Sequence, residues 1–234
     1  MRLVAFSYPN ADDPSERHLG VVTADVPDDF RSPKGNVHDI TRAIGPDIAA
    51  AIRAGVGPIH DLRGTADAYP LDELTLHAPI RRPGKIVCVG LNYHDHCREQ
   101  GIEPPDYPML FAKFANAVTD PAASVIRPRA TEKLDLECEL AVVVGRNASH
   151  VAPAEALDHV FGYTILNDVT ARDLQREDRQ WLRAKGWDGF APMGPMIVTV
   201  DEIADPGRLA IRSRVNGETW QESTTAEMIW DVPT

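Results

Sequence analysis

The sequence predicts an α+β fold, rich in strands with short helices between them and preceded by a small α/β N-terminal region. Three observations carry this. Residues 134–144 alternate with the period of a strand: Leu134, Leu136, Cys138, Leu140, Val142 and Val144 share one parity, and Asp135, Glu137 and Glu139 share the other. Further apolar runs of strand length follow at 85–90, 108–114 and 161–170, and Asn216-Gly217 between residues 209–215 and 218–220 is a strong hairpin signal. In the first 80 residues, by contrast, Ile40, Ile44, Ile48 and Ile52 recur every four positions, a helical stripe.

In chain order, residues 3–6 and 20–23 read as short strands flanking a polar loop that contains Pro and Asp, so the chain is expected to open with a hairpin-like pair. Residues 39–44 and 47–52 read as helical, split at Gly45-Pro46. Residues 71–80 alternate weakly, and Arg81-Arg82-Pro83-Gly84 marks a turn. The boundary is placed there, giving a small N-terminal region (1–80) and a main domain (81–234). Residues 85–90 form a short buried strand, and 91–99 leave it with helical spacing. The acid-bearing strand comes next. Residues 147–157 are a loop and a short helix, with Pro153 suited to the first turn. Residues 161–170 form a strand that ends at Asp168, and 171–175 turn helical.

Composition excludes several classes of function. The hydrophobic fraction of 43% and charged fraction of 25% are ordinary for a globular protein. A net charge of -11 leaves no basic stripe for a phosphate backbone, which argues against nucleic acid and against anionic membranes. No apolar run is long enough for a membrane span, and the N-terminus lacks a signal-peptide core. The three cysteines, Cys88, Cys97 and Cys138, lack zinc-like spacing and fit a reducing compartment, so a cytoplasmic location is expected.

The chemistry concentrates on the acids. Same-face residues of a strand lie about 6.5–7 Å apart, so two carboxylates can converge on one object while the alternate side chains pack a core. The run Ala141-Val142-Val143-Val144 suggests burial on both faces, which makes unpaired carboxylates costly. Asp168 supplies a third acid in a similar apolar setting. With only oxygen ligands on that face, a hard divalent cation fits better than zinc or copper. A solvated acidic face is the plainer alternative. His96 and Glu99 are three apart and face the same way on one helical turn, as a base with an orienting acid or as a simple surface pair. Arg172 and Gln175 repeat that spacing near Asp168, where a structural ion pair explains Arg172 as well.

The ordered motifs are Gly90-Leu91-Asn92-Tyr93 with His96-x-x-Glu99, then Asp135-Leu136-Glu137-x-Glu139-Leu140, then residues 167–175, then Arg183-Ala184-Lys185-Gly186. With them the chain resembles the fumarylacetoacetate hydrolase family from about Lys85 onward. The resemblance implies that family's mixed β-roll or sandwich. It implies Glu137, Glu139 and Asp168 as ligands of magnesium, or of manganese or calcium, and Lys185 as an active-site lysine. His96 and Glu99 match the dyad of acylpyruvate-cleaving members.

The implied activity is metal-dependent hydrolysis of the carbon-carbon bond of a 1,3-diketo acid of acylpyruvate or fumarylpyruvate type, as in aromatic catabolism. Decarboxylation of an oxaloacetate-type 2-oxo acid and isomerisation of a hydroxydienedioate are alternatives on the same scaffold. A catalytically silent, metal-stabilised binding protein is the alternative of another class. Arg172 and Gln175 are expected to contact substrate, and the expected partners are a small oxo acid and a second copy of the chain. Family members continue through a Thr-Gly-Thr-Pro-like segment not found here. Asp231-Val232-Pro233 reads as a helix start with nothing behind it, so the domain is expected to lack its C-terminal segment.

Overall fold

The computed structural model describes residues 1–13, 15–23, 35–62 and 66–234. Its organising element is an antiparallel sheet of eight strands. Seven of them lie in the spatial order Cys138–Val144, Val160–Asn167, Ile197–Thr199, Arg2–Ser7, His18–Thr23, Asn36–Asp39 and Ala68–Pro70, and Thr75–His77 also pairs with Arg2–Ser7. The expected opening hairpin is present, with Arg2 opposite Val22 and Phe6 opposite His18. Strand Arg2–Ser7 also pairs with Ile197–Thr199, so the sheet runs without a break from the chain start to the acid-bearing strand.

The isoleucine stripe forms helices Thr41–Ile44 and Ile48–Ala54. Gly45, at φ 120, ends the first, and Asp47 caps the second by accepting from Ala50 N at 2.8 Å. Ile40 and Ile48 are buried against Leu3, Leu19, Val21, Val143, Phe161 and Ile197, and Ile44 and Ile52 pack partly against the same cluster. Each such side chain contributes roughly 1.5–3 kcal/mol when fully withdrawn from water. A third helix, Val56–Leu62, lies where no helix was expected. Across the sheet, Val4, Phe6, Val22, Val37, Leu71 and Met196 form a second cluster. Ser7, His77 and Asp120 stitch the two regions together, with Ser7 Oγ 2.9 Å from His77 Nε2 and His77 Nδ1 2.8 Å from Asp120 Oδ2.

Residues 86–224 add short two-stranded sheets. Ile86–Gly90 pairs with Met109–Lys113, and Ala210–Val215 pairs with Glu218–Thr224. Asn216 and Gly217 turn the latter hairpin with φ of 53° and 90°, the left-handed conformation that this dipeptide adopts at low cost. No helix among the described residues is long and apolar enough to cross a membrane.

One expectation is overturned. Residues 134–144 are not a single strand: Leu134–Asp135 pairs with Thr170–Ala171, Cys138–Val144 pairs with Val160–Asn167, and Leu136 and Glu137 lie between. Nor do the alternate apolar residues pack a core, and the valines are not buried on both faces. Val142 and Val144 are 37% and 60% exposed and Val143 is 7% exposed, so the parity that carries the acids is the one that points inward. The reason is the sheet's other neighbours. Val143 joins the helix-covered cluster, and Glu139 sits opposite buried Leu166, whereas Leu140 sits opposite half-exposed Ile165.

Candidate active site

The break in the strand builds the site. With the ladder interrupted, Glu137 N donates to Asn167 Oδ1 at 3.1 Å and Asp168 N donates to Glu137 O at 2.8 Å. Glu137, in the break, and Asp168, just past the end of strand Val160–Asn167, are thereby set side by side. Helix Leu182–Lys185 brings in the buried ammonium of Lys185, which lies 2.6 Å from Glu137 Oε2, 2.8 Å from Asp168 Oδ2 and 2.7 Å from Thr170 Oγ1. Its three donors are all used.

Helix Arg172–Glu177 brings Arg172 to the other side of Glu137. Its Nη2 lies 2.6 Å from Glu137 Oε1, its Nε donates to Asp135 Oδ2 at 2.8 Å, and its Nη1 donates to Gln175 Oε1 at 2.9 Å. Arg172 and Gln175 do share a face, as their spacing required. Burial alone would raise the Glu137 pKa, but Lys185 and Arg172 together pull it below the usual carboxylate value. Burial lifts Asp168 upward, and the ammonium groups of Lys113 and Lys185 moderate that rise.

Lys113 is the site residue that the sequence reading missed. It ends strand Met109–Lys113 with its side chain fully buried, 2.7 Å from Asp168 Oδ1. It also donates to the carbonyls of Lys185 (2.5 Å), Phe190 (2.8 Å) and Val169 (3.2 Å). The ammonium fastens the carbonyl end of the Lys185 helix to Asp168. The available signal was strand parity: within Met109–Lys113, Leu110 and Ala112 face out, while Met109, Phe111 and Lys113 face in.

Glu139 behaves differently. Burial first, then the charges of Glu137 and Asp168, push it up to about 8, with Lys185 offsetting part of the rise. Glu137 and Asp168 hold counter-ions, and Glu139 is left facing their charge. Cys88 is close by, and burial pushes its thiol up to about 12, so it stays protonated and is a poor nucleophile.

Glu137, Glu139, Asp168, Arg172, Lys185 and Cys88 line one cavity of about 2150 Å³ together with His96, Glu99, Phe111, Trp181 and Trp230, while Lys113 lies buried behind it. Helix His94–Gln100 presents His96 half-buried and Glu99 exposed. The hydrogen-bond partner of the His96 ring is Gln100, 2.9 Å from Nε2 and four residues on, rather than Glu99. Glu137, Asp168, Lys185, Arg172 and Gln175 are thus joined in one network. Glu139 adjoins it, and His96 and Glu99 stand apart on the cavity wall.

The donor set suits a hard cation. Three carboxylates line the same cavity, one of them without a counter-charge, and a divalent ion would supply it. Among the described residues no three such groups are placed to grip one ion as they stand. The Lys185 ammonium occupies the space between Glu137 Oε2 and Asp168 Oδ2.

The site can be set beside known proteins. Residues 85–234 match the family description "Fumarylacetoacetate (FAA) hydrolase C-terminal". A bovine relative, "Oxaloacetate tautomerase FAHD2A, mitochondrial", is 47% identical over 163 residues, which are 69% of this chain and 52% of that protein. The chain therefore spans about half the length of that relative. Among solved structures, the fumarylacetoacetate hydrolase of Exiguobacterium antarcticum superposes with a TM-score of 0.83 at 36% identity, covering 100% of this chain and 79% of its own. The maleylpyruvate hydrolase of Sphingobium sp. SYK-6, in complex with manganese(II) ion and pyruvate, gives a TM-score of 0.78 at 29% identity, covering 100% and 80%. The matched range spans both acid segments, the Arg172 helix and Lys185, and it covers well over half of the chain: the chain is a member of the fumarylacetoacetate hydrolase family.

Proposed function

We propose that this family member is a metal-dependent enzyme that interconverts the keto and enol forms of a small 2-oxo acid of oxaloacetate type. The observation that carries the reading is the Lys185 ammonium, buried and triply held beside the cavity, while His96 and Glu99 are not joined. Enolisation needs charge stabilised at one oxygen and a proton moved at the adjacent carbon. It needs no attacking water. The name of the bovine relative supports the same choice.

In this reading a divalent ion, magnesium by preference, is held by Glu137, Glu139 and Asp168 and supplies Lewis acidity when bound. Lys185 donates to the oxygen on which enolate charge develops, in a cavity where such a hydrogen bond is worth more than in water. Arg172 and Gln175 orient the substrate carboxylate. His96, on the cavity wall, takes the proton, since a neutral imidazole is a competent base near pH 7.

Hydrolysis of an acylpyruvate is the second reading. It is favoured by the presence of His96 and Glu99 on the same cavity as the acids, where a turn of either side chain would make a water-activating pair. The deciding experiment follows oxaloacetate enol absorbance and acetylpyruvate and fumarylpyruvate cleavage with added magnesium. Faster ketonisation with no cleavage is the expected outcome. Cleavage without tautomerisation would replace the first reading by the second, and turnover of none would leave a metal-stabilised binding protein.

A further inference from the structure

The ammonium of Lys185 rests against two kinds of surface. On one side are the carboxylates already described. On the other are aromatic faces: Nζ lies 4.9 Å from the centroid of Phe111 and 5.9 Å from that of Trp181. The two rings meet edge to face, 5.3 Å apart at 64°, and form a corner. The corner is built in from several elements. Phe111 faces inward from strand Met109–Lys113. Trp181 stands at the start of the Lys185 helix, where its carbonyl accepts from Ala184 N and Lys185 N, both at 3.0 Å. Its ring reaches the corner only because residue 90 has no side chain: a Cβ there would lie 2.6 Å from Trp181 Cζ3.

If Glu137 and Asp168 hold a cation, Lys185 cannot keep Glu137 Oε2 and Asp168 Oδ2 to itself. Two directions of retreat are closed by like charge, because Lys113 sits on Asp168 and Arg172 on Glu137. What remains is Thr170 Oγ1, 2.7 Å away, and the two ring faces. Aromatic faces attract a desolvated ammonium and place no positive charge against it.

We propose that Trp181 and Phe111 are positioning residues whose rings form a seat for the Lys185 ammonium when Glu137 and Asp168 are engaged by a divalent cation. The seat keeps the lysine beside the cavity instead of letting it compete for the carboxylates. This rests on the reading that these acids take a metal. The seat itself is a matter of Trp181, Phe111 and Lys185.

A double-mutant cycle on the full chain tests it, with magnesium affinity measured by titration calorimetry in the absence of substrate. Trp181→Leu is expected to weaken magnesium binding by roughly 3-fold, because the rings already touch the ammonium and only the closer contact made on its retreat counts toward affinity. Trp181→Phe, which keeps a ring, is expected to retain most of the affinity. In a Lys185→Met background, Trp181→Leu is expected to change nothing, because no ammonium remains to seat. The same loss in both backgrounds would show that the ring acts only as packing, and no loss with Lys185 present would remove the seat outright. Either result leaves the metal reading standing. Wild-type protein that takes no magnesium would end the metal reading and this inference with it. Should Trp181→Leu fail to fold, Phe111→Leu supplies the same cycle from the other ring.

Discussion

Glu139→Gln isolates the electrostatics of the cavity from any question of substrate. Burial, reinforced by Glu137 and Asp168, pushes the Glu139 carboxyl up to about 8 in the folded protein from an ordinary value of 4.5. Between those two pH values the folded chain holds a proton that the unfolded chain has released, so stability falls as pH rises. The slope is about 1.4 kcal/mol per pH unit. At pH 7, roughly 2.5 units above the unfolded value, the penalty is on the order of 3 kcal/mol, and it levels off above the folded value. A glutamine carries no charge to bury. The variant should therefore match wild type near pH 4.5 and exceed it by about that amount at pH 7, when unfolding by urea is followed in the presence of a chelator. Magnesium added at pH 8 should narrow the gap by stabilising wild type more than the variant. Parallel stability profiles for the two proteins across that pH range would refute the assignment of Glu139 as the uncompensated acid.

Three other outcomes follow from the same geometry. Lys113→Met removes the ammonium that Asp168 and three carbonyls share. It should lower unfolding free energy by about 3–5 kcal/mol, as breaking a buried ion pair does, and a loss under 1 kcal/mol by chemical denaturation would contradict the clasp. His96→Ala should leave magnesium affinity nearly unchanged while lowering kcat by roughly 10²–10⁴-fold for whichever oxo acid is turned over, and a rate that survives the change would remove His96 as the base. Gly162→Ala places a Cβ 2.5 Å from Val198 O, where strand Val160–Asn167 meets Ile197–Thr199. The expected result is a lowered Tm, and an unchanged Tm would show that the two strands can part without cost.

Much of this was readable from residue order, for reasons that differ from place to place. The isoleucine stripe and the Asn216-Gly217 turn announced themselves because local periodicity and turn chemistry act within a few residues. Arg172 and Gln175 were legible on the same ground, since three positions along a helix bring side chains together whatever surrounds them. The direction in which the acid strand faces was not legible. Alternation gives two faces and says nothing of which one a distant element covers, and here Val143 is claimed by helices from residues 41–62. Lys113 was hidden for a related reason: its carbonyl partners lie 56 to 77 positions away in sequence. His96 was assigned to Glu99 by spacing, but four positions along a helix serve as well as three, and the ring lies against Gln100. Helix Val56–Leu62 contains Gly57 and Pro58 near its start, residues that read as a loop until the packing of Ile59 is known.

The place of the first strand has a consequence for how the chain is made. Arg2–Ser7 lies in the interior of the sheet, paired on one side with His18–Thr23 and on the other with Ile197–Thr199 at Arg2 and Leu3 and with Thr75–His77 at Ala5–Ser7. During synthesis His18–Thr23 follows at once and Thr75–His77 soon after, whereas Ile197–Thr199 is translated nearly 200 residues later, a delay on the order of 10–40 s at typical elongation rates. Throughout that interval the edge stays open only at Arg2 and Leu3, the latter fully buried in the finished protein. Pairing of Arg2 and Leu3 therefore waits for the acid-bearing half, a contact between distant residues of the kind that folds slowly. Lower expression temperature or added holdase chaperone should raise the soluble yield more than any change to the cavity.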